Sequence, residues 1–269
     1  MNEDSITQTG AVEKSAHCAH DNAHDDPHNN SNNKQFDSMA EVVFILDRSG
    51  SMRGREDDTI GGFNAMLDKQ RQASGDAKLS TVLFDNEYEL LHDRLDIDNI
   101  SYISEEDYYV RGNTALLDAI GRSINKIIGV RKALAANKEQ KTNDGTEKQN
   151  VTFIIITDGH ENASHEFSAD QIKKMIRHQE DKYGWEFIYL AANIDAVHTG
   201  EQYGIRPEYR KNYRTDKDGI STSYDAASDI VMMKRQAASR VQYCMANEAL
   251  SWSKKLDAEF EKGSDDKKS

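Results

Sequence analysis

The sequence predicts an α/β fold: a doubly wound, mainly parallel sheet with one antiparallel edge strand and helices on both faces. Three observations predict it. Short apolar runs such as Glu41-Val-Val-Phe-Ile-Leu-Asp47 and Val151-Thr-Phe-Ile-Ile-Ile156 are continuous rather than alternating, the mark of strands buried on both faces. These runs alternate with stretches of helical periodicity, as crossover connections require. One pair of runs is separated only by Asp85-Asn86-Glu87, residues that suit a tight hairpin turn.

Taken in order, residues 41–47 form the first strand. A polar, Gly-containing loop follows, then a helix with Ile60, Phe63, Met66 and Leu67 on one face. Leu79-Ser-Thr-Val-Leu-Phe84 and Tyr88-Glu-Leu-Leu91 make the hairpin that supplies the antiparallel edge. Leu116, Leu117, Ile120, Ile124, Ile127 and Ile128 repeat with helical spacing, and residues 137–150 read as an exposed, Lys-rich loop. The strand at 151–156 is the most apolar and takes the centre of the sheet. Ser168 with Gln171 three residues on is a capping-box signature for a helix ending near Tyr183. Residues 185–191 form another strand and 212–215 a last edge strand. From Ser221, residues Ile230, Val231, Ala238, Val241, Met245 and Leu250 mark the inner face of one long terminal helix. The expected organisation is a polar, His-, Asn- and Asp-rich disordered tail over 1–38, one domain over 39–250, and a helix end with polar tail over 251–269.

Composition narrows the function classes. The 269 residues carry a formal net charge of −13, which argues against the clustered Lys and Arg of a nucleic-acid footprint. No apolar run reaches 18 residues, and the opening MNEDSITQTG lacks a basic and then apolar secretory pattern. Two cysteines, Cys18 and Cys244, make no disulfide framework, so a reducing, cytoplasmic setting without membrane contact is expected.

Three polar clusters should meet outside the carboxyl ends of the strands, where open parallel sheets bind ligands. They are Asp47-Arg48-Ser49-Gly50-Ser51 after the first strand, Gly112-Asn113-Thr114 before a helix, and Thr157-Asp158-Gly159 after the central strand. Together Asp47, Ser49, Ser51, Thr114 and Asp158 offer two carboxylates and three hydroxyls. Hard oxygen donors of this kind suit Mg²⁺, with Mn²⁺ or Ca²⁺ as alternatives. Alternation should bring Asp47, Ser49 and Ser51 to one side of an extended loop, while Gly50 and Gly159 allow tight turns and close backbone approach. The alternative is that the serines and Asp158 merely form turns. D-x-S-x-S alone arises by chance in roughly 5–10% of chains of this length. The preceding buried strand, the placed Thr and the second strand-ending Asp decide for the metal.

These motifs, D-R-S-G-S, G-N-T-A-L and T-D-G in this order, resemble the metal-ion-dependent adhesion site of von Willebrand factor A and integrin I-type domains. The resemblance spans roughly residues 41–240 and is closest to small bacterial members. It implies that Ser49, Ser51 and Thr114 contact the metal, that Asp47 and Asp158 act directly or through water, and that a partner's carboxylate completes the shell. The function this implies is protein binding by an intracellular assembly or adaptor factor that is not an enzyme, with an AAA+ ATPase as one candidate partner. Arg48, Arg111, His160 and Glu161 flank the donors and are candidates for the partner surface. The rival reading is a metal-dependent hydrolase or phosphatase, for which His160 and Glu161 are the only nearby acid-base groups; no G-x-S-x-G, P-loop or H-E-x-x-H is present. His17, His20, His24 and His28 could bind Zn²⁺ or Ni²⁺, but their spacing matches no closed zinc site. Tyr108 and Tyr109 are read as packing residues.

Overall fold

The structure, a computed structural model, describes residues 39–137, 149–192, 196–236 and 251–265. The expected tail over 1–38, with its histidines and Cys18, lies outside these residues, as do Ala238, Val241, Cys244, Met245 and Leu250.

Among the described residues six strands form one sheet: β1 (Ala40–Asp47), β2 (Ala77–Phe84), β3 (Tyr88–Asp96), β4 (Val151–Thr157), β5 (Glu186–Ala191) and β6 (Arg210–Asn212). Their order is β3-β2-β1-β4-β5-β6, and every pairing is parallel except β2 with β3. The doubly wound class with an antiparallel edge is therefore the observed architecture. β1 and β4 are buried at every position, so no polar alternation could have survived in their sequences. Among the described residues the α-helices are α1 (Glu56–Arg71), α2 (Leu116–Asn137), α3 (Ala169–Tyr183), α4 (Ala196–Gln202), α5 (Lys217–Gln236) and α6 (Ser251–Asp265). α1, α5 and α6 pack together, α2, α3 and α4 pack together, and β1 meets both α2 and α5, so both sheet faces are covered.

α1 buries Thr59, Phe63, Met66, Leu67 and Gln70, a stripe at helical spacing. Ile60, expected on that stripe, is half-buried beside it. Phe63 meets Phe44 of β1 edge to face at 5.9 Å. α3 carries the expected capping box: the Ser168 hydroxyl accepts from the Gln171 amide while the Gln171 side chain accepts from the Ser168 amide, and Gly184 at φ 71° closes the helix. Ser168→Ala should therefore cost about 1 kcal/mol, read as a lower urea midpoint with unchanged slope.

Four boundaries differ from expectation. β3 runs on to Asp96, because Arg94, at φ 51°, bends the edge strand so that its guanidinium pairs with both oxygens of buried Glu41 on β1. β6 is Arg210–Asn212 rather than 212–215. Tyr213 donates a last amide bond to the Ala191 carbonyl of β5 and buries its ring in the core, and Asp216 accepts from the Gly219 amide at the start of α5. α5 thus begins four residues before Ser221. Finally, 251–265 is a packed helix rather than a helix end with a polar tail, because Trp252 and Leu256, one turn apart, are buried in the core. Among the described residues no helix is long and apolar enough to cross a membrane.

Candidate metal centre

The five predicted donors come together at the carboxyl ends of β1 and β4, where neighbouring parallel strands end side by side. Asp47 is the last residue of β1 and Asp158 follows the last residue of β4. The first loop is not extended throughout. Ser49 has strand-like backbone, but Gly50–Met52 is a 3₁₀ turn anchored by buried Met52, and this turn folds Ser51 back on Ser49. Their hydroxyls lie 3.0 Å apart, and the Thr114 hydroxyl donates to Ser49 at 2.9 Å. Asp47 accepts from the Ser49 amide at 2.7 Å and from the Thr157 hydroxyl at 2.5 Å. Thr157, which had no assigned role, is thus the residue that orients Asp47, and its oxygen accepts in turn from the Gly159 amide.

The convergence is sharpest at Gly159. A methyl group there would stand 2.7 Å from Thr114 Oγ1, 3.0 Å from Ser51 Oγ and 3.1 Å from Asp47 Oδ2. Three donors from two loops therefore surround one small volume that the glycine of the third leaves open. The backbone of Gly159 is not left-handed, so close approach rather than turn geometry is what the glycine serves. Gly112 differs: at φ 65° it needs the left-handed region, and any side chain would collide with Asn86.

The loops are fixed to one another by backbone. Gly50 N–H donates to the Gly112 carbonyl, Arg111 N–H to the Arg48 carbonyl, and Ala115 N–H to the Asp85 carbonyl. Asn162 Oδ1 accepts from the Thr114 amide, and its own amide donates to the Thr114 carbonyl. Tyr108, read from sequence as packing, also donates its buried hydroxyl to the Asp47 carbonyl. Donor positions are thus held by elements that themselves cannot easily move.

Electrostatically the site wants a cation. Burial pushes Asp47 up to about 6, with the nearby charge of Asp158 adding to the shift while hydrogen bonds from Thr157 and Ser49 oppose it. Asp158 has a side chain only 4% exposed; its Oδ2 pairs with Arg55 Nη1 at 2.8 Å, and its Oδ1 is buried with no hydrogen-bond partner. An orphaned buried carboxylate oxygen beside a cradle of hydroxyls is the donor set a hard divalent ion fits. Among the described residues no three His, Cys, Asp or Glu side chains are grouped as a metal site, so the protein donors on offer here are two carboxylates and three hydroxyls.

The flanking candidates separate. Arg48 is fully buried: Nε donates to Asp85 at 3.1 Å and Nη2 pairs with Glu89 at 2.7 Å, so it cannot reach a partner. Glu161 also turns inward, accepting from the amides of Leu117, Ala163 and Ser164 and from the Ser164 hydroxyl. It caps the N-terminus of α2, where a carboxylate is favoured. Arg111 pairs with Asp85 and Glu87 but stays partly exposed, and His160 is exposed. Tyr109 is 44% exposed with the guanidinium groups of Arg48 and Arg111 at 5.3 and 5.5 Å from its ring centroid. An open depression of about 510 Å³ lined by Asp57, Ile60, Gly61, Ser104, Glu105 and Glu106 contains none of the five donors. Of the five donors Ser51 is exposed, whereas Asp47, Ser49 and Thr114 are buried and the Asp158 side chain is 4% exposed.

No family model and no curated protein matches the chain. Solved structures do. A von Willebrand factor type A protein from Catenulispora acidiphila is 12% identical, with a TM-score of 0.49, covering 72% of this chain and 43% of that one. The ArnB paralog VWA2 from Sulfolobus acidocaldarius is 14% identical, with a TM-score of 0.45, covering 70% and 44%. The manganese-loaded TRAP protein of Plasmodium vivax is 18% identical, with a TM-score of 0.48, covering 69% and 72%. The chain spans less than half the length of the first two. The architecture of this chain, a doubly wound α/β sheet with one antiparallel edge strand and helices on both faces, rests on the sheet order and packing described above.

Proposed function

We propose that this chain is a divalent-metal-dependent protein-binding module that captures an acidic residue of a partner, and not an enzyme. The observation that carries the reading is the convergence of Asp47, Ser51 and Thr114 on the space Gly159 leaves open. Asp47, Ser49, Ser51, Thr114 and Asp158 would hold the ion. The hydroxyl separations of 2.9 and 3.0 Å fit the edge of an octahedral shell, about 2.9 Å for metal–oxygen distances of about 2.0–2.1 Å. Ca²⁺, with longer bonds, would need the loops to spread, so Mg²⁺ or Mn²⁺ is the preferred occupant. Bound there, the ion would offer an electrophilic position to a carboxylate oxygen.

Two features favour binding over hydrolysis. Glu161 is committed to the α2 N-terminus and is not available as a general base. Ser51 and His160 are also exposed and Arg111 partly so, which leaves a partner's carboxylate an approach beside the otherwise buried donors. An intracellular assembly or adaptor role is consistent with this chemistry. The test is affinity capture and Mn²⁺ titration with wild type, Asp47→Ala and Thr114→Ala. Wild type should bind Mn²⁺ and retain partner only with Mg²⁺, while both variants stay folded and lose both properties. Partner capture that persists in EDTA would overturn the reading.

A further inference from the structure

Arg55 is an unexpected choice for its position. It is the N-cap of α1, where a basic side chain opposes the helix dipole and Ser, Thr, Asp or Asn would cap the exposed amides; its side chain makes no capping bond. A residue that breaks the local rule is expected to serve something else. Its guanidinium reaches back to the candidate metal centre instead. Nη1 donates to Asp158 Oδ2 at 2.8 Å and to the Ser51 carbonyl, and Nε donates to the Thr215 carbonyl at 3.1 Å. One positive charge thus touches the first and third metal loops at once.

The charge count gives this contact a consequence. Asp47 and Asp158 contribute −2 and Arg55 contributes +1, so the site stands at −1; a divalent ion takes it to +1 instead of the 0 that two carboxylates alone would leave. We propose that Arg55 is a tuning residue: it weakens the isolated cation and leaves the loaded site net positive, so that metal and acidic partner bind as a pair. The cation is repelled by the guanidinium and must compete with it for Asp158. A carboxylate from outside meets a surplus of positive charge and, by linkage, tightens the metal by the factor the metal tightens it. This inference rests on the metal-binding reading above and adds an order to it: little occupancy without an anion, firm occupancy with one.

The experiment is Mn²⁺ titration of the full chain, followed by the signal of free Mn²⁺, with and without acetate as the carboxylate probe. It compares wild type, Arg55→Gln and Arg55→Lys, each checked for an unchanged thermal midpoint. Removing one charge from the edge of the site should tighten Mn²⁺ roughly tenfold in Arg55→Gln, the scale of a Coulomb term at near-water dielectric. Arg55→Lys, which keeps the charge, should stay within about twofold of wild type on the same electrostatic argument. Acetate should tighten Mn²⁺ on wild type more than on Arg55→Gln. A Gln variant that binds Mn²⁺ equally or more weakly overturns the inference and makes Arg55 a brace, while the metal site stands. Equal acetate effects on the two proteins overturn it as well. Wild type that binds no Mn²⁺ overturns both this inference and the reading beneath it.

Discussion

Gly159→Ala is expected to weaken divalent-metal binding strongly while leaving the fold in place. The added methyl would fall 2.7 Å from Thr114 Oγ1, 3.0 Å from Ser51 Oγ and 3.1 Å from Asp47 Oδ2, so it takes the volume an ion would use. The backbone there is not left-handed, so alanine brings no conformational strain of its own. The collision is with hydroxyl and carboxylate groups at the rim of the sheet, and small rotations of Thr114 and Ser51 relieve it. The loss in Mn²⁺ affinity should be on the order of 100-fold, comparable to removing a residue that orients a ligand. The thermal midpoint should move by only a few degrees, about what a 1 kcal/mol change gives in a chain of this size. The combination is what discriminates. A global destabilisation would mean the methyl disrupts packing, and wild-type Mn²⁺ affinity would mean the donors do not act at this point.

That the five candidate donors would come together was legible in the sequence because each is tied to a local signal. Asp47 and Asp158 end buried apolar runs, and strand ends are where parallel sheets expose loops. What could not be read was which neighbouring polar residues face outward. Arg48 sits between two donors in a polar loop, yet it is buried, because Asp85 and Glu89 on the β2–β3 hairpin receive it. That pairing joins residues about forty positions apart and leaves no local trace. Glu161 reads as a catalytic or surface acid until α2 is placed with its first turn against it. Arg55 carries no local sequence signal of contact with Asp158, although an arginine just ahead of Glu56-Asp57-Asp58 is a visible breach of capping preference. The terminal helix is different: Trp252 and Leu256 stand at helical spacing, and that signal was available for extending the packed body past residue 250.

The second large effect is on stability and falls on a residue outside the donor set. Asp85→Ala should destabilise the fold by about 3–5 kcal/mol, the range for removing one partner from a buried charge pair. Asp85 is 1% exposed and its carboxylate receives Arg48 Nε, Arg111 Nε and the Glu87 amide. Arg48 is itself fully buried, and without Asp85 the ion pair left to it among the described residues is with Glu89, whose side chain is 46% exposed. A guanidinium left in that position loses solvent and partner together, which is costlier than the pair was ever worth in net stability. Asp85→Asn should be milder, since an amide oxygen can still accept from Glu87 and from one arginine. Urea unfolding measures both, with the alanine midpoint well below the asparagine midpoint. The metal loops should feel the change as well. Arg111 and Arg48 are joined through backbone as well as through Asp85, and the Arg111 strand of loop leads directly into Gly112 and Thr114. Mn²⁺ affinity should therefore fall in Asp85→Ala even at temperatures where the protein is fully folded. An Asp85→Ala protein that unfolds within 1 kcal/mol of wild type would show that Glu89 alone suffices to hold Arg48, and that the hairpin does not tension the second loop.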